Sequence, residues 1–101
     1  MKTIDMTQFL DESTIELHTL ERWIEQRWII PLQTTARVEI SETDAARAIF
    51  IRDLTDDLGV NEEGISIVLH LVDQLHGLRR ALTELRIEVN ASRSDPEGAI
   101  D

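Results

Sequence analysis

The sequence predicts a mainly α-helical fold with one small β-hairpin and a long C-terminal helix that mediates dimerisation. Between residues 64 and 89, apolar side chains recur at steps of three or four, which is typical of a helix with one apolar face. Residues 31–40 interrupt the helical pattern and contain the alternation of a short strand. The last helix would span about 40 Å, more than the width of so small a domain, so a second copy of the same helix is its simplest partner.

Two helices are predicted before the hairpin. Asp5 can cap a short helix within residues 5–12, and a second helix follows a turn near residues 12–15. Ser13 followed by Glu16 is the pattern of a capping box, although the second helix could instead begin at Glu16 itself. Pro31 disfavours a helical residue before it, so the second helix is predicted to end at the preceding residue. Its apolar positions are Leu17, Leu20, Trp23, Ile24 and Trp28.

The hairpin and a third helix come next. Residues 38–40 alternate between apolar and polar side chains, so a hairpin is predicted over residues 31–40. Ser41 is a candidate N-cap for a helix over residues 42–58, and Gly59 is a candidate for its C-terminal cap. The predicted apolar face of this third helix consists of Ala46, Ile49, Phe50, Leu54 and Leu58.

The final helix is predicted to begin after Asn61, with two glutamates placed favourably near its positive end. The step from Leu75 to Leu78 is three residues long, whereas a regular alternation of steps of three and four would place a step of four there. Gly77 lies within this step. Either the helix changes its packing partner at this point or it kinks. The candidate dimerisation residues are Val72, Leu75, Leu78, Leu82 and Leu85.

The chain length of 101 residues suits a single domain, predicted over residues 1–90. Residues 91–101 are polar, include a proline and a glycine, and are predicted to be a disordered tail. No apolar run approaches the roughly 18 residues of a membrane span, and the N-terminus lacks the pattern of a signal peptide. We therefore expect a cytoplasmic protein that does not associate with membranes.

The charge balance is strongly acidic, with 20 acidic side chains, 10 basic ones and a formal net charge of −10. A nucleic-acid-binding protein needs lysines and arginines that neutralise phosphates, usually on one face. This chain has a single lysine and scattered arginines. The composition therefore favours a basic protein as partner and disfavours nucleic acid.

Patterns of catalytic or metal-binding residues are lacking. The chain has no cysteine, no glycine-rich phosphate loop and no suggestive spacing of serine, histidine and acid. His70 and His76 are six residues apart on one helix, so they lie on different faces and do not form a metal-ligand pair. We expect neither an enzyme nor a cofactor.

The order of two short helices, a proline, a small hairpin and two further helices resembles the winged helix-turn-helix of the MerR type. Within that group, residues 3 to about 88 resemble the CbpM family of chaperone modulatory proteins. The resemblance depends on the order and spacing of several short stretches. They are Phe9, Leu20 to Pro31, Leu58-Gly59-Val60-Asn61, Gly64-Ile65, Leu69, Leu71 and Asp73.

The sequence departs from the DNA-binding members of the MerR type at two places. Their recognition helix carries Thr-Leu-Arg before two aromatic residues, whereas this chain has Glu21 at the position of the arginine. Their hairpin carries an Arg-x-Tyr that meets phosphate, whereas this chain has Glu39 between two aliphatic residues. A carboxylate beside phosphate repels it, so the resemblance implies a scaffold that has lost its DNA surface.

The resemblance implies an adaptor that binds the J-domain of a DnaJ-type, CbpA-like co-chaperone. Members of the family inhibit the co-chaperone activity of that partner, and we expect an effect on its DNA binding too. Because J-domains engage Hsp70 through a basic helix, an acidic surface is a physically reasonable inhibitor. The candidate partner-binding residues are Glu21, Glu25, Trp28 and Glu39.

Each of these candidates has a structural alternative. Glu21 and Glu25 are four residues apart and share one helix face, which is either an acidic patch or an ordinary solvated surface. Trp23 and Trp28 point about 140° apart, so one is expected in the core and the other partly exposed, with Trp28 chosen as the contact anchor.

A dimeric MerR-type transcription regulator that binds DNA remains the alternative function, and an adaptor for another basic partner is a third.

Overall fold

The structure is a computed structural model that describes residues 2–100, with the side chains described for residues 2–93. The chain divides into two compact units, Met1–Ile65 and Ser66–Asp101. The predicted fold class, mainly α-helical with a small sheet and a long C-terminal helix, is confirmed. The elements are β1 (Thr3–Asp5), α1 (Met6–Ser13), α2 (Leu17–Glu25), β2 (Leu32–Gln33), β3 (Val38–Ser41), α3 (Glu42–Asp56) and α4 (Glu62–Ile100).

The sheet has three antiparallel strands, with β3 in the centre between β1 and β2. Leu32 lies opposite Glu39 in the β2–β3 pair, which confirms the predicted hairpin. The N-terminal strand was not predicted, because three residues are too few to show an alternation before the helix cap at Asp5. In this strand Ile4 pairs with Ile40, whose side chain is fully buried.

Three predicted N-terminal caps are confirmed. The Asp5 side chain accepts a hydrogen bond from the backbone N–H of Thr7 at the start of α1. Ser41 Oγ accepts one from the N–H of Asp44 at 3.1 Å, which ends β3 and starts α3 at adjacent residues. Asn61 Oδ1 accepts one from the N–H of Gly64 at 2.9 Å. Each cap satisfies a backbone donor that the first turn of its helix leaves free.

The predicted C-terminal cap of α3 is also confirmed. Gly59 has a φ of 67°, which a residue without a Cβ adopts at little cost. Its N–H donates to the carbonyl of Thr55, and the N–H of Val60 donates to that of Leu54. These bonds stop α3 and turn the chain into the cap of α4 within a few residues.

The second helix ends five residues earlier than predicted. Arg27 has a φ of 65°, its N–H donates to the carbonyl of Ile24, and the N–H of Trp28 donates to that of Trp23. This pair of bonds is a Schellman motif, which stops α2 at Glu25. The motif usually has glycine at the left-handed position, so an arginine there leaves no signal in the sequence.

The predicted capping box at the start of α2 is wrong. Glu16 is the N-cap, and its side chain makes no capping hydrogen bond. Ser13 is instead buried at the end of α1, where its Oγ accepts a hydrogen bond from the N–H of Ile15. The alternative start at Glu16 is therefore the correct one.

The buried face of α3 differs from the predicted one. The sequence pattern predicts Phe50 and Leu58 in the core, whereas they are 40% and 72% exposed. The residues that α3 buries are spaced by three, and two of them are small. Because alanine is small and only weakly hydrophobic, it contributes little to a hydrophobic pattern. The pattern of α3 therefore points to the larger side chains as the buried ones. The buried residues are Ala45, Ala48 and Ile51.

The apolar residues of the long helix α4 differ in exposure along its length. Ile65 and Leu69 are buried, whereas a stripe further along the helix is exposed. The predicted apolar positions change from buried at Ile65, through half-buried at Val68 and Val72, to exposed from Leu75 onward, which fits the alternative that the helix changes its surroundings near Leu75. We call the exposed set the leucine stripe; it consists of Leu71, Leu75, Leu78, Leu82, Leu85 and Val89.

The predicted tail falls largely beyond the described side chains. Residues 91–93 belong to α4, and residues 94–101 lie outside the part of the chain whose side chains the structure describes. Disorder of the tail and a single domain over residues 1–90 therefore stay predictions. Among the described residues, no helix is both long and apolar enough to cross a membrane.

The Schellman motif at Arg27 gives a test of the local backbone. A glycine relieves the left-handed strain, whereas a β-branched residue increases it. We expect Arg27→Gly to be at least as stable as the parent protein and Arg27→Val to be about 1–2 kcal/mol less stable than Arg27→Gly in urea unfolding. Both variants lose the same charge, so their difference reports the backbone. Equal stabilities would contradict a left-handed residue 27.

Candidate functional site

The exposed face of α2 is acidic. Glu21 and Glu25 are both exposed, and their spacing of four residues places them on the same side of the helix. The structure thus brings these two predicted site residues together on the protein surface. A face of this kind attracts cations and repels phosphate.

The arginine on the same helix is held by an ion pair within the protein. Arg22 donates from Nε and Nη2 to the two carboxylate oxygens of Glu62, the second of these at 2.9 Å. The hydrogen bonds and the opposite charge raise the pKa of Arg22 and lower the pKa of Glu62. The pair joins α2 to the first turn of α4, and it directs the guanidinium of Arg22 toward a protein carboxylate.

Sequence reasoning missed this pair. Arg22 and Glu62 are 40 residues apart, and each had a sufficient local explanation. The sequence predicts Glu62 at the N-terminal end of the final helix, where its negative charge is favourable, and it does lie there. The only available signal was the opposite charge of two surface residues, which is too common to select a partner.

The predicted site residue Glu39 lies in a hydrogen-bond network of the hairpin. Its carboxylate accepts bonds from Arg37 Nε at 2.9 Å and from Thr3 Oγ1 at 2.8 Å, and its side chain is only 15% exposed. These two hydrogen bonds hold the pKa of Glu39 below its ordinary value of 4.5, and the bond from Arg37 has the larger effect. Glu39 is therefore largely covered, which corrects the prediction of a free acidic contact in the hairpin.

The predicted anchor Trp28 is a core residue. Trp23 and Trp28 are 6% and 9% exposed, so the prediction that one of them is partly exposed is wrong. The Schellman motif turns the chain after α2 and carries Trp28 inward. Its carbonyl then accepts a hydrogen bond from Arg47 Nε of α3 at 2.8 Å. Trp28 offers too little accessible surface to be the exposed anchor.

A groove of about 420 Å³ opens next to the start of α2, and all of its lining residues lie in the unit that ends at Ile65. The end of α3 and the first turn of α4 form its other walls. Its apolar lining consists of Ile15, Trp23, Trp28, Val60 and Ile65. Its polar rim consists of Thr14, Glu16, His18, Thr19, Arg22, Arg52, Thr55, Asp56, Asn61 and Glu62.

Comparison with protein families matches residues 4–87 to the family described as "MerR HTH family regulatory protein". The chain belongs to this MerR family. The matched residues extend from β1 into α4, so nearly all of the first unit is part of the shared scaffold. No curated protein and no solved structure matches the chain.

In this MerR-family chain, α2 and the hairpin each carry an arginine that is paired within the protein. Arg22 of α2 binds Glu62, and Arg37 of the hairpin binds Glu39. Their charges are balanced by protein carboxylates, while Glu21 and Glu25 remain exposed. The exposed face of α2 is therefore negative.

The candidate dimerisation residues lie in the second unit of the MerR-family chain. Leu75, Leu78, Leu82 and Leu85 are between 45% and 58% exposed, and Val72 is half-buried. The first four belong to the leucine stripe.

Among the described residues, no group of three or more His, Asp or Glu side chains could hold a metal ion.

The Arg22–Glu62 pair predicts a pH dependence. Because the folded-state pKa of Glu62 lies below its unfolded value, the pair stabilises the fold above that unfolded value and loses its effect as the pH falls through the lowered pKa. We expect Glu62→Gln to lower stability at neutral pH and to reduce the further loss between neutral pH and about pH 3. Urea unfolding at both pH values measures this. The neighbouring Glu63→Gln is the matched control, and an equal effect in both variants would contradict the assignment.

Proposed function

We propose that this protein is a non-enzymatic, cytoplasmic adaptor that binds the J-domain of a DnaJ-type, CbpA-like co-chaperone and inhibits it. The observation that carries the proposal is the negative surface of α2. Glu21 and Glu25 are exposed there, and the neighbouring Arg22 is paired with Glu62. Such a surface favours a basic protein, because complementary charge accelerates association and opposes wrong partners.

The resemblance to the CbpM family supports the choice of partner. A J-domain engages Hsp70 through a basic helix, and an acidic helix face on the adaptor would occupy that helix in place of Hsp70. Inhibition then needs only competition for one surface, with no chemical step. This fits a chain whose sequence contains no recognisable catalytic pattern.

Membership of the MerR family favours a second candidate, a regulator that binds DNA as a dimer. Binding of DNA requires the protein to neutralise several phosphates and to release their counterions. Here the acidic face of α2 and the paired arginines of α2 and the hairpin oppose that step. The charge distribution therefore supports the protein-binding adaptor over the DNA-binding regulator.

We further propose that the adaptor is a homodimer that pairs through α4. The leucine stripe is a long exposed apolar surface, and surfaces of this kind usually mark an interaction site. Its steps of three and four residues match the seam along which two helices pack side by side. A second copy of the same chain supplies a stripe of the same length.

The first test is calorimetric titration with the J-domain of the CbpA-like co-chaperone from the same organism at two salt concentrations. We expect binding in the micromolar range or tighter that weakens with salt, because the contact is electrostatic. No binding by the folded protein would contradict the proposed partner. Salt-dependent binding to DNA instead would support the MerR-type regulator.

A charge-reversal pair locates the contact. We expect Glu21→Lys with Glu25→Lys to leave the fold intact and to weaken J-domain binding about tenfold or more. The matched control is Glu84→Lys with Glu88→Lys, a pair of exposed glutamates with the same spacing on α4. Equal weakening by both pairs would show that only net charge matters, and unchanged affinity of the α2 pair would place the contact elsewhere.

The proposed dimer has its own test. We expect Leu82→Asp to convert the dimer to a monomer in sedimentation or light scattering, because a charge in the centre of the leucine stripe would be buried without a partner. The matched control is Ile87→Asp, since Ile87 is 61% exposed and lies on the opposite side of α4. A stable dimer in the Leu82 variant would contradict pairing through the stripe.

A further inference from the structure

We infer that the groove beside α2 holds an apolar side chain from a basic helix of the protein partner. The inference deepens the proposed function and rests on it, because it takes the J-domain as the partner. It assigns the groove a role that the acidic face of α2 alone does not supply. Charge would bring the partner helix to α2, and the groove would fix its position.

The interior of the groove is apolar and formed in advance. Ile15, Trp23, Trp28 and Ile65 line it and are otherwise buried, so they are held in place by the core. A volume of about 420 Å³ lies within the range of sites that take small molecules or a few side chains. When a partner fills a preformed apolar site, the side chains of the protein lose little conformational entropy. Preformed apolar pockets of this kind are typical of the centre of an interface.

The rim of the groove is negative once its internal pairs are taken into account. Arg22 is bound to Glu62, and Arg52 donates to the carbonyl of Ser13 at 2.8 Å. Arg52 also contacts the carboxylate of Asp53 at 3.3 Å. Both rim arginines are thus committed to protein acceptors. Two further carboxylates lie on the rim, those of Glu16 and Asp56, and both residues are exposed. The Glu16 carboxylate lies 3.8 Å from Nε2 of His18, which is also on the rim.

One exposed leucine is next to the groove in the sequence. The exposed Leu58 lies in the turn between two lining residues, Asp56 and Val60. An apolar interior inside a negative rim matches a partner that is apolar on one side and basic around it. An amphipathic basic helix has this chemistry.

One pair of substitutions tests the groove directly. Thr55 is exposed on the wall of the groove, and Thr43 is exposed on the same helix but does not line it. Thr55→Arg places a long cationic side chain in the groove, whereas Thr43→Arg changes the net charge equally. We expect Thr55→Arg to weaken J-domain binding about tenfold and Thr43→Arg to change it less than about twofold. Thermal unfolding of both variants checks that α3 stays folded.

A second measurement reports occupancy of the groove. The chain has two tryptophans, and both line the groove. We expect a J-domain in which any tryptophan is replaced by phenylalanine to change the tryptophan emission of the parent protein at saturation. Binding with unchanged emission would overturn the inference, because the partner would then lie elsewhere.

The outcomes separate the inference from the proposed function. If the parent protein binds the J-domain and Thr55→Arg matches Thr43→Arg, the adaptor function stands and the groove assignment fails. If the parent protein does not bind the J-domain, the proposed function and the groove assignment both fail. Selective loss in Thr55→Arg together with a change in tryptophan emission supports both.

Discussion

The left-handed turn at Arg27 fixes the position of the central segment of the first unit. Two backbone hydrogen bonds stop α2 there and direct Trp28 and Ile29 into the core. The third helix then holds the segment from the other side, because Arg47 donates to the carbonyl of Trp28 and Asp44 accepts from the N–H of Ile30. With this segment fixed, β2 begins two residues later in register with β3, and the tryptophans become walls of the groove.

The MerR-family scaffold of this chain presents a negative face on α2. Glu21 and Glu25 are exposed on α2, and Arg22 of α2 and Arg37 of the hairpin each pair with a carboxylate of the protein. Each pair also links two elements, α2 with α4 and the turn with β3, so both arginines contribute to internal connections.

Features controlled by one residue and its neighbours could be predicted from the sequence. Asp5, Ser41, Asn61 and Gly59 were identified as caps because each acts on backbone groups a few residues away. The end of α2 could not be predicted, since Arg27 adopts a conformation that sequence rules assign to glycine. The groove and the Arg22–Glu62 pair also escaped prediction, because both depend on residues about 40 positions apart. The exposed pair Glu21 and Glu25 was the part of the site visible in the sequence.

The leucine stripe of α4 has a consequence for the amount of active protein in a cell. A protomer with an uncovered stripe exposes the kind of apolar surface on which proteases and quality-control chaperones act, whereas a covered stripe is hidden from them. Surplus protomers would then be removed selectively, and the lifetime of each chain would depend on how many copies surround it. In the proposed dimer, α4 would thereby link turnover of the protein to its own concentration.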